Sequence, residues 1–108
     1  MDRKQQLKVE LQPFFEACRN QGKPFSEICF LEAYPGDRTT SFRIKVKAPW
    51  FEGKTRWEII DLLFDILFET TTANTRGNIF SIEVVYMNDE LPCVPETPEL
   101  ENQVHAHA

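Results

Sequence analysis

Residues Ala48 to Thr55, APWFEGKT, are the first set whose types and spacing could do chemistry. Gly53, Lys54 and Thr55 match the close of a phosphate-binding loop, in which a lysine meets the phosphates and a hydroxyl holds magnesium. That chemistry needs a glycine-rich loop whose backbone N–H groups converge on the anion. Here the interior is Pro49, Trp50, Phe51 and Glu52. Proline has no N–H, the two rings are bulky, and a carboxylate repels phosphate. The stretch therefore reads as a turn. A weaker anion contact through Lys54 and Arg56 stays open, because the N-terminus of the helix that follows favours negative charge.

A second set is Arg43, Lys45 and Lys47, which alternate along one face of a strand with Trp50, Phe51, Lys54 and Arg56 close by in sequence. Basic residues interleaved with aromatic rings suit a single-stranded nucleic acid, with phosphate contact and base stacking combined. Glu27, Glu32 and Glu83 on neighbouring strands offer the simpler use, which is charge pairing across the sheet. The two histidines, His105 and His107, stand in the last four residues, where nothing rigid holds an acid or base against a target. Cys18, Cys29 and Cys93 have no CxxC spacing and read as reduced thiols rather than a disulfide framework or a zinc site. No catalytic residues, no metal site and no cofactor are expected, so the chain does not read as an enzyme.

The elements that would position these residues follow from periodicity and punctuation. Pro13 suits the first turn of a helix, predicted from about Gln12 to Asn20 and ended near Gly22. Residues 1–11 read as an arm or a short strand, with a helical extension as the other option. Phe25 to Tyr34 is rich in aromatic and branched side chains and predicts a strand. Pro35 to Thr40 predicts a turn, and Ser41 to Ala48 alternates strictly, as a half-buried antiparallel strand does. Thr55 with Glu58 forms a capping box that opens a long helix to about Thr71. Ile79 to Met87 is the last strand. From residue 89 to 108, prolines and acids predict a mobile tail. The outcome is an α+β two-layer sandwich over residues 12–88, with an antiparallel sheet of three or four strands under two helices.

The long helix carries Trp57, Ile59, Ile60, Leu62, Leu63, Phe64, Ile66, Leu67 and Phe68, leaving only Glu58, Asp61, Asp65 and Glu69 as a polar stripe. At about 100° per residue, the apolar arc covers roughly two-thirds of the circumference, more than one sheet face needs. The excess is covered either by the first helix and the tail or by a partner, since exposed aromatic patches of that size mark interfaces. Trp50, Phe51, Trp57, Phe64 and Phe68 are the candidate partner-binding residues.

Composition sets the remaining bounds. The 108 residues allow one domain, and 42% hydrophobic with 12% aromatic content can fill its core. A net charge of −5 speaks against general nucleic-acid binding. With no long apolar run and no signal-like segment, a soluble cytoplasmic chain that avoids membranes is expected.

The run YPGDRTTSFRIKVKAPWFEGKT, followed by a helix, a turn and NIFSIEVVY, resembles the BolA-like proteins. The likeness extends from Glu27 to about Glu90. It implies a small α+β domain related to one class of KH fold, and a role as adaptor for an iron–sulfur cluster shared with a monothiol glutaredoxin. Two positions depart from the family pattern. Its basic Arg-His-Arg group falls near Glu58 to Asp61, EIID here, and its cluster-ligating histidine falls at Asn78, a poor ligand. The leading expectation is a small non-catalytic interaction or regulatory module that acts as a homodimer or docks a protein. Nucleic-acid binding through Arg43, Lys45 and Lys47, and the cluster adaptor, are the alternatives.

Overall fold

The structure, a computed structural model, describes residues 2–34 and 41–99. The expected turn at Pro35 to Thr40 and the histidines of the C-terminus lie outside the described residues.

Asp2 caps the first helix, α1 (Arg3–Glu10), by accepting the Gln5 N–H at 2.8 Å. The expected arm or strand is thus a helix, because Leu7 and Leu11 bury at helical spacing rather than alternating. It leads directly into α2 (Gln12–Asn20), with Pro13 in the first turn. Gly22, at φ 72°, closes α2: the Lys23 N–H reaches the Cys18 carbonyl at 2.8 Å and the Gly22 N–H reaches Arg19 at 3.0 Å. This double bond pattern needs the left-handed backbone that glycine adopts without strain.

The sheet comprises β1 (Glu27–Glu32), β2 (Phe42–Lys47) and β3 (Ile79–Val85), in that spatial order. β1 and β2 are antiparallel, from Glu27 opposite Lys47 to Glu32 opposite Phe42. β3 runs parallel to β2, which corrects the expectation of an all-antiparallel sheet. The reason is the connection. The helix α3 (Arg56–Thr70) and the one-turn α4 (Ala73–Arg76) carry the chain back to the end where β2 began, and a crossover of that kind delivers a parallel strand.

α1, α2 and α3 cover one face. Leu7, Leu11, Phe14 and Phe15 meet Ile28, Phe30, Ile44 and Val46 of the sheet and Ile59, Leu63 and Leu67 of α3 in one core. The fold is therefore a small α+β two-layer domain. Residues 91–99, assigned to a mobile tail, lie along the outer edge of β1. Glu96 bridges Ile28, and Pro98 is buried. Among the described residues, no helix is long and apolar enough to cross a membrane.

Candidate functional site

The APWFEGKT stretch folds as a 3-10 turn, Pro49–Phe51, followed by Gly53 at φ 82° and the N-cap Thr55. Thr55 Oγ1 accepts the Glu58 N–H at 3.2 Å, so its hydroxyl caps α3. Phe51 is fully buried against Phe25, with ring centroids 6.4 Å apart. Trp50 packs partly on the core and donates its indole N–H to the Pro24 carbonyl at 3.0 Å. Phe51 is thereby corrected from partner contact to core: the 3-10 turn directs its side chain inward. Tyr86 pins the same loop by donating to the Lys54 carbonyl at 2.8 Å, and its ring lies 4.9 Å beneath the Arg56 guanidinium.

The other three aromatic candidates stay at the surface. Ile59, Leu63, Ile66 and Leu67 of α3 point into the core, which leaves Trp57 79% exposed, Phe64 half-buried and Phe68 60% exposed. Trp57, Ile60, Phe64 and Phe68 recur at three- and four-residue steps, so they form one stripe along the outer flank of α3. Phe64 and Phe68 touch, with centroids 6.4 Å apart, and the Arg76 guanidinium lies 4.3 Å from the Phe68 ring centre.

Beside the N-terminal half of this stripe runs a groove of about 500 Å³, lined by Lys45, Arg56, Trp57, Ile60, Ile82, Glu83 and Val84. Ile82 and Val84 face the helices, whereas Glu83 faces away, so the groove wraps the edge of β3. Among the described residues, β3 pairs on one side only. Phe80, 55% exposed, adds a further ring at the start of that strand and meets Tyr34 edge-on at 5.7 Å. Sequence reasoning placed Ile60 in the apolar arc but not among the site residues, and it did not include Phe80, Ile82 or Val84. Their alternation was visible, but only the sheet order places β3 at an edge.

The basic row is partly paired from within. Glu83 receives Arg43 Nε at 2.8 Å and Nη2 at 3.0 Å, Lys45 Nζ at 2.6 Å and the Ser81 hydroxyl at 2.8 Å. Hydrogen bonding from Arg43, followed by the contributions of Lys45 and Ser81, outweighs partial burial and holds the Glu83 carboxyl down to about 2. Lys47 donates to the Asp89 carbonyl. Cross-strand pairing with Glu83 thus engages Arg43 and Lys45, while Lys47 meets a neutral carbonyl.

At the opposite edge the structure brings together residues that the sequence left apart. Cys29, fully buried on β1, and Cys93 are joined as a disulfide, with Cα atoms 6.2 Å apart. This corrects the expectation of three reduced thiols: a sequence separation of 64 gives no local spacing signal. Cys18 is a buried free thiol, and burial pushes it up to about 11. Glu96 and Ile28 exchange two backbone hydrogen bonds of 2.9 Å. The Glu96 carboxylate meets Lys4 at 3.0 Å and Lys8 at 3.3 Å. Asn78, at the head of β3, accepts the Phe42 N–H on its carbonyl at 3.0 Å, and its side chain donates to the Asn74 carbonyl at 3.3 Å.

No family model and no curated protein matches this chain. Among solved structures the chain is similar to BolA1 from Arabidopsis thaliana, at 17% identity and a TM-score of 0.46, over 84% of this chain and 99% of that one. The likeness is one of small α+β folds alone.

Proposed function

We propose that this chain is a non-catalytic docking module that self-associates through the outer flank of α3 and the adjoining edge of β3. The observation that carries this reading is the stripe of Trp57, Ile60, Phe64 and Phe68 beside the groove. It is a continuous aromatic and aliphatic surface, too apolar to be left to water without a purpose. A twofold contact between two such surfaces is self-complementary in its apolar part. Phe51 is buried against Phe25 and Trp50 is tied to Pro24, so neither lines the groove.

Binding of nucleic acid is the weaker reading, since Glu83 already occupies Arg43 and Lys45. The cluster-adaptor reading would call on Asn78, whose amide is turned to Asn74.

Sedimentation velocity over a dilution series tests the proposal. The expected result is a concentration-dependent dimer that Phe68→Glu and Trp57→Glu convert to monomer without loss of helical circular dichroism. A wild-type chain that stays monomeric at the highest concentration reached, or a dimer indifferent to both changes, would sink it.

A further inference from the structure

The outer edge of β1 and the segment that covers it carry an inference independent of the α3 surface, since the two lie on opposite edges of the sheet. Strand pairing uses the odd-numbered backbone groups of β1 toward β2, which leaves those of Ile28, Phe30 and Glu32 turned outward. Ile28 meets Glu96 in an antiparallel bridge, as an added strand would. Lys4 and Lys8 of α1 converge on the Glu96 carboxylate from above, and Lys8 is 4% exposed. A lysine that deep needs an anion opposite it, because an unpaired buried charge is strongly unfavourable. Gln12 fixes the far end by donating to the Pro98 carbonyl at 2.7 Å. The near end is held by the Cys29–Cys93 disulfide. Residues 91–99 thus occupy a built site for an extended, carboxylate-bearing segment.

We infer that the β1 edge, with Lys4 and Lys8, is a strand-addition site for an extended acidic segment of a partner protein, and that the Cys29–Cys93 disulfide holds the chain's own segment in that site as a releasable occupant. The surface chemistry of the partner is set by what fits now: a backbone that pairs antiparallel with Ile28 and a glutamate between Lys4 and Lys8.

Opening requires a dithiol reductant. One of its thiolates attacks Sγ of the part-exposed Cys93, the Sγ–Sγ bond breaks, and Cys29 leaves as a thiolate that takes a proton. The second thiol of the reductant then displaces Cys93 from the mixed disulfide. The reductant departs as a disulfide and both cysteines remain as thiols.

The test has two parts. In the wild-type chain, hydrogen exchange at the Ile28 amide is compared with and without dithiothreitol. Release of the segment should speed that exchange at least about tenfold while amides of β2 keep their protection. Equal protection in both states overturns the latch. In the second part, the full-length double variant Cys93→Ser/Glu96→Lys, in which Lys4 and Lys8 repel the chain's own segment, is titrated with a labelled peptide spanning residues 91–99 with Cys93→Ser. Saturable binding is expected, at least about tenfold weaker for the same peptide with Glu96→Lys. No binding by a variant that retains its circular dichroism, or equal binding of both peptides, overturns the site. A reduced wild type that dimerises by exchanging these segments makes the occupant a second copy and overturns the assignment to a partner protein. Should the double variant not fold, the dithiothreitol-reduced wild type is titrated with the same two peptides, and no binding, or equal binding of both, overturns the site.

Discussion

The two edges of the sheet solve the same problem in opposite ways. A strand edge presents unpaired backbone groups and invites another chain. The β1 edge is closed by residues 91–99 through a backbone bridge, two ion pairs to Glu96 and a disulfide, and the residue beneath, Cys29, is fully buried. The β3 edge is left beside a groove, with Trp57, Phe68 and Phe80 each more than half exposed. The difference lies in local chemistry. Cysteine, lysine and glutamate make specific, breakable links to one segment. A row of rings and aliphatic chains offers area and little directionality, which suits a partner that also buries area.

Breaking the comparison starts with the ring that belongs to neither edge. Phe51→Ala should cost about 3–5 kcal/mol of folding free energy in urea unfolding, as expected for emptying a fully buried aromatic site. Losing the closed edge comes next. Cys93→Ser should destabilise the chain by about 2–4 kcal/mol relative to the oxidised wild type, and dithiothreitol should abolish the difference.

The charge cluster on the open face gives a smaller, pH-dependent effect. Glu83 has a folded value near 2 against an ordinary 4.5. Its contribution is therefore fully present above about 4.5 and is lost as the pH falls from there toward 2. Glu83→Gln should remove about 1–3 kcal/mol at neutral pH and flatten the acid limb of a stability–pH curve. The smallest folding effect belongs to the open edge. Phe68→Ala should change stability by less than about 1 kcal/mol while weakening self-association, measured by sedimentation. A large loss of stability there would mean that the ring is core, and the contrast between the edges would fail.

Much of the frame was legible in the residues because it is written in local rules. Pro13 and Gly22 bracket α2, Thr55 starts α3, and Phe42, Ile44 and Val46 alternate with Arg43, Lys45 and Lys47 to mark β2. The pairing of Glu83 with Arg43 and Lys45 followed from the same alternation. Which strand pairs with which, and in what direction, is not local. The pattern of β3 suits either direction, and only the path of the chain over α3 makes it parallel. The turn at Pro49–Phe51 misled for another reason: which of two adjacent rings turns inward depends on a backbone bend that the residue types do not disclose. Cys29 and Cys93 were unreadable as a pair because their proximity is a product of the finished fold. Ordinary prolines and acids in residues 89–99 gave no hint that Glu96 would meet Lys8, a residue that reads as surface in any helix.

The disulfide also changes the topology of the molecule. In the oxidised chain everything from Cys29 to Cys93, including β2, α3 and β3, lies inside a closed covalent ring, whereas α1 and α2 hang outside it. Exchange of elements between two copies requires a strand or helix to leave its own chain and cross over, and a ring cannot lend its middle. Swapping in the oxidised form is thereby easiest for the N-terminal helices and for the residues beyond Cys93. A dimer of the oxidised chain that survives removal of both exchanges is one of surfaces laid together, with each copy keeping its own sheet.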